Sequence, residues 1–249
     1  MHELEFALQQ LKLPTIGSCY QEYAEEARRE QLSYEQYLSG LLTREIEQRQ
    51  DNRTQRWLRQ SRLPLEKSLE NFDRHRLPAK IHKSLTNLLD GSFLQRAENV
   101  LAFGNPGSGK THLVCAIAQE LIHNGHRVLF QSCQLLVQDL LVAKQQLSLG
   151  KALKALRRYQ ALIIDDIGYV QQDRAEMEVL FALLADRYET GSVMITSNLP
   201  FSKWELIFKD PMTTAAAIDR LVHHSIILEL NLPSYRLEAA KTEQQGGSE

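Results

Sequence analysis

Cysteine is too scarce and too poorly spaced to organise this chain. Only three occur in 249 residues. Cys19, Cys115 and Cys133 are odd in number, form no C-x-x-C pair and fall in segments that read as helix or strand. They fit a reducing compartment, the cytoplasm, without a metal. Long apolar runs are missing as well. No stretch approaches the roughly 18 apolar residues that a membrane helix needs. The opening MHELEFALQQLKLP is amphipathic and acidic where a signal peptide is basic and then apolar, so neither export nor membrane spanning is expected. Net charge is nearly absent, at -2 with a pI near 6.5, and any polyanion binding must therefore come from local patches. There is no internal repeat, and the one low-complexity tract is the polar tail KTEQQGGSE, expected to be disordered. With 43% hydrophobic and 24% charged residues, what remains suits one large domain plus something small.

Charge divides the first third of the chain. Residues 1–43 carry seven acidic side chains against three basic, whereas 44–83 carry eleven basic against six acidic. Leu4, Leu8 and Leu11 recur at helical spacing, as do Tyr20, Tyr23, Ala24 and Ala27, so two helices are expected. Ser33 with Gln36 makes a capping-box pattern ahead of Tyr34, Tyr37, Leu38, Leu41, Leu42 and Ile46, a third helix. The segment from Arg44 to Arg62 then places arginines at 49, 53, 56 and 59 with Trp57 and Leu58 as its few apolar partners. It reads as a cationic hinge helix, either a solvated linker or a surface for DNA or a partner.

From about Phe72 the pattern changes to short apolar segments alternating with longer periodic ones. Val100–Phe103, Val128–Phe130, Leu162–Ile164, Val193–Thr196 and Ile226–Leu230 are the expected strands, with room for crossover helices between them. The fold class expected is α/β, a five-stranded parallel sheet flanked by helices, with a small all-α N-terminal domain. The domains are 1–65 helical with the basic linker helix, 66–241 the α/β domain, and 242–249 the tail.

The motif that carries chemistry is GNPGSGKT. It follows the strand VLAF and precedes the helical LVCAIAQELI, the context a P-loop requires. Gly104, Asn105, Pro106, Gly107, Ser108, Gly109, Lys110 and Thr111, with His112 next, form the candidate cradle for ATP. Glycines turn the amides inward, Lys110 adds a charge, and the Thr111 hydroxyl serves Mg²⁺. A second acidic site is expected on a neighbouring strand, and ALIIDD supplies it. Asp165 would hold Mg²⁺, and Asp166 would orient and deprotonate the attacking water. The strand SVMITSN closes on Thr196, Ser197 and Asn198, and Asn198 would approach the γ-phosphate from the adjoining strand. Arg220 on a predicted helix and Arg236 beyond the last strand are further candidates for phosphate contacts.

This order of motifs resembles the AAA+ ATPases of the initiator and helicase-loader clade. More narrowly, the chain resembles the IstB family, ATP-binding transposition helper proteins of bacterial insertion sequences related to the loader DnaC. The resemblance runs nearly end to end, through KSLENFD at 67–73, GNPGSGKTHL at 104–113, YQALIIDDIGY at 159–169, ITSNLPFSKW at 195–204, AAAIDRLVHHSIILEL, and PSYR. It implies that Lys110, Thr111 and Asp165 bind Mg-ATP, that Asp166 activates water and that Asn198 senses the γ-phosphate. By the same resemblance Arg220 would be an arginine finger reaching a neighbouring subunit of a homo-oligomer, Arg236 a sensor in cis, and Phe72 part of the adenine pocket. Asp166 departs from the Glu usual in the clade, which implies slow turnover.

The resemblance further implies a central channel lined by Lys144, Lys151, Lys154, Arg157 and Arg158 that binds duplex DNA largely without regard to sequence, with a transposase as partner. The alternative is loading of a replicative helicase. A third reading, a small-molecule kinase or GTPase, lacks the guanine-reading N-K-x-D motif.

Overall fold

The computed structural model of the chain describes residues 2–168, 173–208 and 210–235. These fall into two compact units that divide between Arg56 and Trp57; the expected Arg236 and the tail lie outside the described residues. Among the described residues no helix is long and apolar enough to cross a membrane.

The first unit holds α1 (His2–Gln10), α2 (Pro14–Arg29) and most of α3 (Tyr34–Gln60). The capping box forms as the sequence suggests: the Ser33 amide donates to Gln36 Oε1 at 2.8 Å, and the Gln36 amide donates to Ser33 Oγ at 3.2 Å. The expected third helix and the expected hinge helix are one 27-residue helix. No Gly or Pro lies between Leu41 and Gln60, and Glu, Gln and Arg are strong helix formers, so nothing interrupts it. Tyr23 and Tyr37 stack with centroids 5.5 Å apart, and the Arg44 guanidinium lies 4.1 Å over the Tyr23 ring.

The second unit is built on a parallel sheet. Its elements run α4 (Ala79–Leu89), α5 (Ser92–Gln95), β1 (Asn99–Gly104), α6 (Lys110–His123), β2 (Val128–Ser132), α7 (Cys133–Gln145), α8 (Leu149–Leu156), β3 (Ala161–Asp165), α9 (Arg174–Arg187), β4 (Ser192–Ser197), α10 (Glu205–Phe208), α11 (Pro211–Val222) and β5 (Ser225–Leu230). All five expected strands are present, and the strand order is β2-β3-β4-β1-β5. That order corrects one expectation. The ALIIDD strand β3 does not neighbour the P-loop strand β1, because β4 lies between them and pairs with both.

Both faces of the sheet are covered, which is why its strands read as continuous apolar runs. On one face α6 contributes Leu113, Val114, Ile117, Leu121 and Ile122, all fully buried. On the other, α7, α9 and α11 bury residues such as Leu136, Leu180 and Leu221 with Trp204 and Phe208. At the amino-terminal edge the 97%-buried Arg187 donates to the carbonyls of Tyr159, Gln160 and Ser192 at 2.8, 3.0 and 2.7 Å. It thereby pins the starts of β3 and β4 side by side. Burial lowers its pKa to about 10, which still leaves the guanidinium charged at neutral pH.

Candidate functional site

The carboxyl ends of β1, β3 and β4 meet where a parallel sheet binds its ligands, and a cavity of about 290 Å³ opens there. Its floor is the run from Pro106 to His112, a loop followed by the start of α6. Gly107 and Gly109 have φ of +78° and +93°, the left-handed region that glycine enters freely. Gly107 is also pressed by Ser234, where a Cβ would collide with the hydroxyl, and a Cβ on Gly109 would stand 3.3 Å from the Phe72 ring. This turn leads directly into the first turn of α6, whose free amides and helix dipole favour an anion. Lys110 Nζ donates to the carbonyls of Gly104 and Asn105, both at 2.9 Å, so the ammonium spans the mouth of the loop. Ser108 Oγ is buried with no hydrogen-bond partner among the described residues, a donor suited to an anionic oxygen.

Thr111 and Asp165, 54 residues apart, are joined by a hydrogen bond of 2.8 Å from Thr111 Oγ1 to Asp165 Oδ1. Two hard oxygen donors side by side at a phosphate cradle fit Mg²⁺, which takes few protein ligands beside a nucleotide. Asp166 and Asn198 line the same cavity. Asp166 has φ +57°, a region where Asp is among the best tolerated of the residues with a side chain. Because a strand normally sends successive side chains to opposite faces, this left-handed step is what gives two consecutive carboxylates separate places in one site.

The opposite wall comes from the segment that carries KSLENFD. Phe72 lies edge-on to His112 with centroids 5.1 Å apart. His112 Nε2 is 2.9 Å from the Ser68 carbonyl, and Gln119 Nε2 donates to the Leu65 and Lys67 carbonyls at 3.3 and 3.0 Å. Arg76 donates to the Pro233 carbonyl at 2.9 Å and lies 5.4 Å over the Tyr235 ring, while the Tyr235 amide donates to the Gly107 carbonyl at 2.9 Å. Arg76, Tyr235 and Thr196 were not among the expected site residues. Arg76 lies just past KSLENFD and Tyr235 lies within PSYR, but no local pattern says that segments 157 residues apart meet.

Arg220 is not in this cavity. Its guanidinium packs 4.9 Å over Phe181, donates to the Ala216 carbonyl of its own helix and borders a small cleft with Asn99, Arg187 and His224, at the other end of β1. Arg236 lies outside the described residues. Lys144 pairs with Glu178 at 2.6 Å, and Arg157 Nε donates to Asp186 Oδ2 at 3.0 Å, whereas Lys151 and Lys154 stand exposed on α8. Cys115, buried in α6, has its thiol pushed up to about 12, chiefly by burial. That leaves it no thiolate chemistry at neutral pH.

A P-loop on β1, a carboxylate at the end of β3 and an Asn just past β4, on a sheet ordered β2-β3-β4-β1-β5, define a P-loop nucleotide-binding protein of the AAA+ class. The sequence model described as "IstB-like ATP binding protein" matches residues 6–243. The chain belongs to that family. It is 43% identical over 238 residues to an insertion sequence ATP-binding protein of Sinorhizobium fredii, covering 95% of this chain and 80% of the relative. It is 38% identical to the insertion sequence IS21 ATP-binding protein of Pseudomonas aeruginosa, covering 96% of this chain and 90% of the relative. Among solved structures the fold is similar to the DnaC helicase loader, with TM-score 0.53, 18% identity and coverage of 60% of this chain and 88% of that one. AMPPCP-bound DnaA from Aquifex aeolicus is similar too, with TM-score 0.57, 18% identity and coverage of 74% and 56%.

Proposed function

We propose that this protein binds and slowly hydrolyses Mg-ATP, and that the ATP state holds a homo-oligomer on duplex DNA for a partner transposase. The observation that carries the proposal is the convergence of Lys110, Thr111, Asp166 and Asn198 on one cavity, with Asp165 hydrogen-bonded to Thr111. Loop amides and Lys110 would grip the β- and γ-phosphates. Thr111 and Asp165 would hold Mg²⁺, which neutralises charge on the phosphate oxygens when bound. Asp166 would take the proton from the water that attacks the γ-phosphorus as ADP leaves, and Asn198 would hold that water or the γ-phosphate in line. Phe72 would flank the base, and Arg236 would meet the phosphates in cis.

Arg220, at the far end of β1 from its own P-loop, would complete the site of a neighbouring subunit. The DNA contact we assign to Lys151 and Lys154, with Lys144 and Arg157 exchanging Glu178 and Asp186 for phosphates. Such binding depends on counterion release and weakens steeply with salt. Relatives named for insertion sequences, at 36 to 43% identity, support a transposase partner over a replicative helicase, toward which the likeness is one of fold.

The test is light scattering after gel filtration on random duplex DNA, with ATP, ADP or no nucleotide, for wild type and Lys110→Ala. Assembly with ATP that Lys110→Ala abolishes supports the proposal. Assembly indifferent to nucleotide, or DNA affinity indifferent to salt, overturns it.

A further inference from the structure

Thr196, fully buried on β4, hydrogen-bonds to both members of the Asp165–Asp166 pair. Its Oγ1 donates to Asp165 Oδ1 at 2.6 Å, the same oxygen that receives Thr111 Oγ1 at 2.8 Å. The same hydroxyl accepts the Asp166 amide at 2.8 Å, and the Thr196 carbonyl accepts the Ile167 amide at 3.0 Å.

The need for such a residue follows from the local backbone. The β3–β4 ladder pairs Ile164 with Ile195 and stops there. Asp166 then takes a left-handed conformation at φ +57°, which turns its amide out of ladder register. A buried or half-buried N–H without an acceptor is costly, and the Thr196 hydroxyl supplies the acceptor while spending its own proton on Asp165. A hydroxyl is the smallest group that can do both. One oxygen thus sets where the metal-side carboxylate sits and how the chain turns to present the water-side carboxylate. Two residues further on, just past the end of β4, Asn198 lines the cavity, so this one strand end places both the fixing hydroxyl and the third polar group of the site.

We infer that Thr196 is the positioning residue that couples the Asp165 carboxylate to the backbone turn presenting Asp166, so that metal-dependent nucleotide binding and water activation depend on one β4 hydroxyl. This rests on the ATPase reading above. It differs from a simple structural role, because a threonine that only filled space would be replaced without loss by isosteric valine.

The experiment compares wild type, Thr196→Val, Thr196→Ser and Thr196→Ala. Three quantities are read: steady-state ATP hydrolysis, the affinity for ATP by calorimetry with EDTA and with Mg²⁺, and the thermal unfolding midpoint. In Thr196→Val we expect kcat to fall by about 10- to 100-fold, the scale on which misplaced catalytic groups lose rate. KM should change less than kcat. Affinity in EDTA should stay within about twofold, and the gain in affinity on adding Mg²⁺ should shrink. Thr196→Ser should recover most of the rate, since it keeps the hydroxyl. Thr196→Ala carries the expectation of the valine variant should the latter fail to fold.

Wild-type rates in Thr196→Val, or serine and valine variants impaired alike, overturn the inference. Should wild type itself bind ATP and Mg²⁺ without turnover, the hydrolysis reading fails, and the inference is still decided by the Mg²⁺-dependent gain in affinity. That gain should be reduced in the valine variant and restored in the serine variant; equal gains in all four proteins overturn it.

Discussion

At the scale of single residues, the departure at position 166 has a backbone explanation. Asp166 sits at φ +57°, where Asp and Asn are several-fold enriched over other residues with side chains, so the shorter carboxylate suits the turn on which it is placed. Asparagine keeps that backbone preference and the shape while removing the proposed base. Asp166→Asn is therefore expected to lower ATP hydrolysis by about 100-fold or more, the contribution typical of a general base. ATP affinity should stay within about twofold, since the phosphate cradle is untouched. Steady-state turnover set beside calorimetric affinity checks this, and equal losses of both would mean that Asp166 serves binding and not the chemical step.

The P-loop, Asp165, Asp166 and Asn198 were legible as candidates because each lies at or just past the end of an apolar strand. Thr196 was visible only as part of a polar strand end. Its role depends on β4 lying between β1 and β3, a fact of tertiary pairing. The contact between Arg76 and Tyr235 was illegible for a related reason, since it joins positions on either side of the whole sheet in the chain.

At the scale of elements, α2 begins without a cap of its own. Pro14 opens it, and the preceding Leu13 has no side-chain oxygen to offer. Glu45 of α3 fills the place: its Oε2 accepts the Thr15 and Ile16 amides at 2.9 and 3.1 Å, and Arg49 donates to its Oε1 at 2.7 Å. Burial pushes the carboxyl's pKa up, but the Arg49 hydrogen bond and charge and the two amides together outweigh it and hold the group below its ordinary value of 4.5. A carboxyl whose pKa falls on folding stabilises fully above its unfolded value, and the stabilisation is lost as pH drops through the folded value. The α1–α3 unit is thus expected to loosen as pH falls below about 4.5.

Glu45→Ala should cost about 1 kcal/mol of that unit's stability, as loss of a cap usually does, and should speed hydrogen exchange at Thr15 and Ile16. Exchange measured on the full chain, at neutral pH and at pH 4, checks both, and unchanged exchange at those two amides would refute the capping role. The helices of this unit were legible from their periodicity. The continuity of α3 was not, because the change from an acidic to a basic segment looks like a boundary, although charge composition does not stop a helix. The five strands were legible as apolar runs, but their spatial order was not. Every crossover is long enough to reach more than one neighbour, so length alone selects no pairing.

At the scale of the whole molecule, the two ends of β1 carry different halves of a proposed catalytic centre. Gly104 ends the strand at the nucleotide cavity, and Asn99 begins it beside the cleft that Arg220 borders. Six residues of strand separate these ends by about 16 Å. Arg220 therefore cannot complete its own site, and any part it has in hydrolysis belongs to another copy. Mixing variants separates the halves. Lys110→Ala lacks a working P-loop but keeps Arg220, and Arg220→Ala lacks the arginine but keeps its P-loop. Each alone should be nearly inactive. Mixed in equal amounts with random assembly, about one interface in four pairs the intact P-loop of one variant with the intact arginine of the other, so roughly a quarter of wild-type activity should return. An Arg220→Ala protein that hydrolyses ATP as wild type does, or a mixture no more active than its components, would show that Arg220 serves only to hold α11 against Phe181.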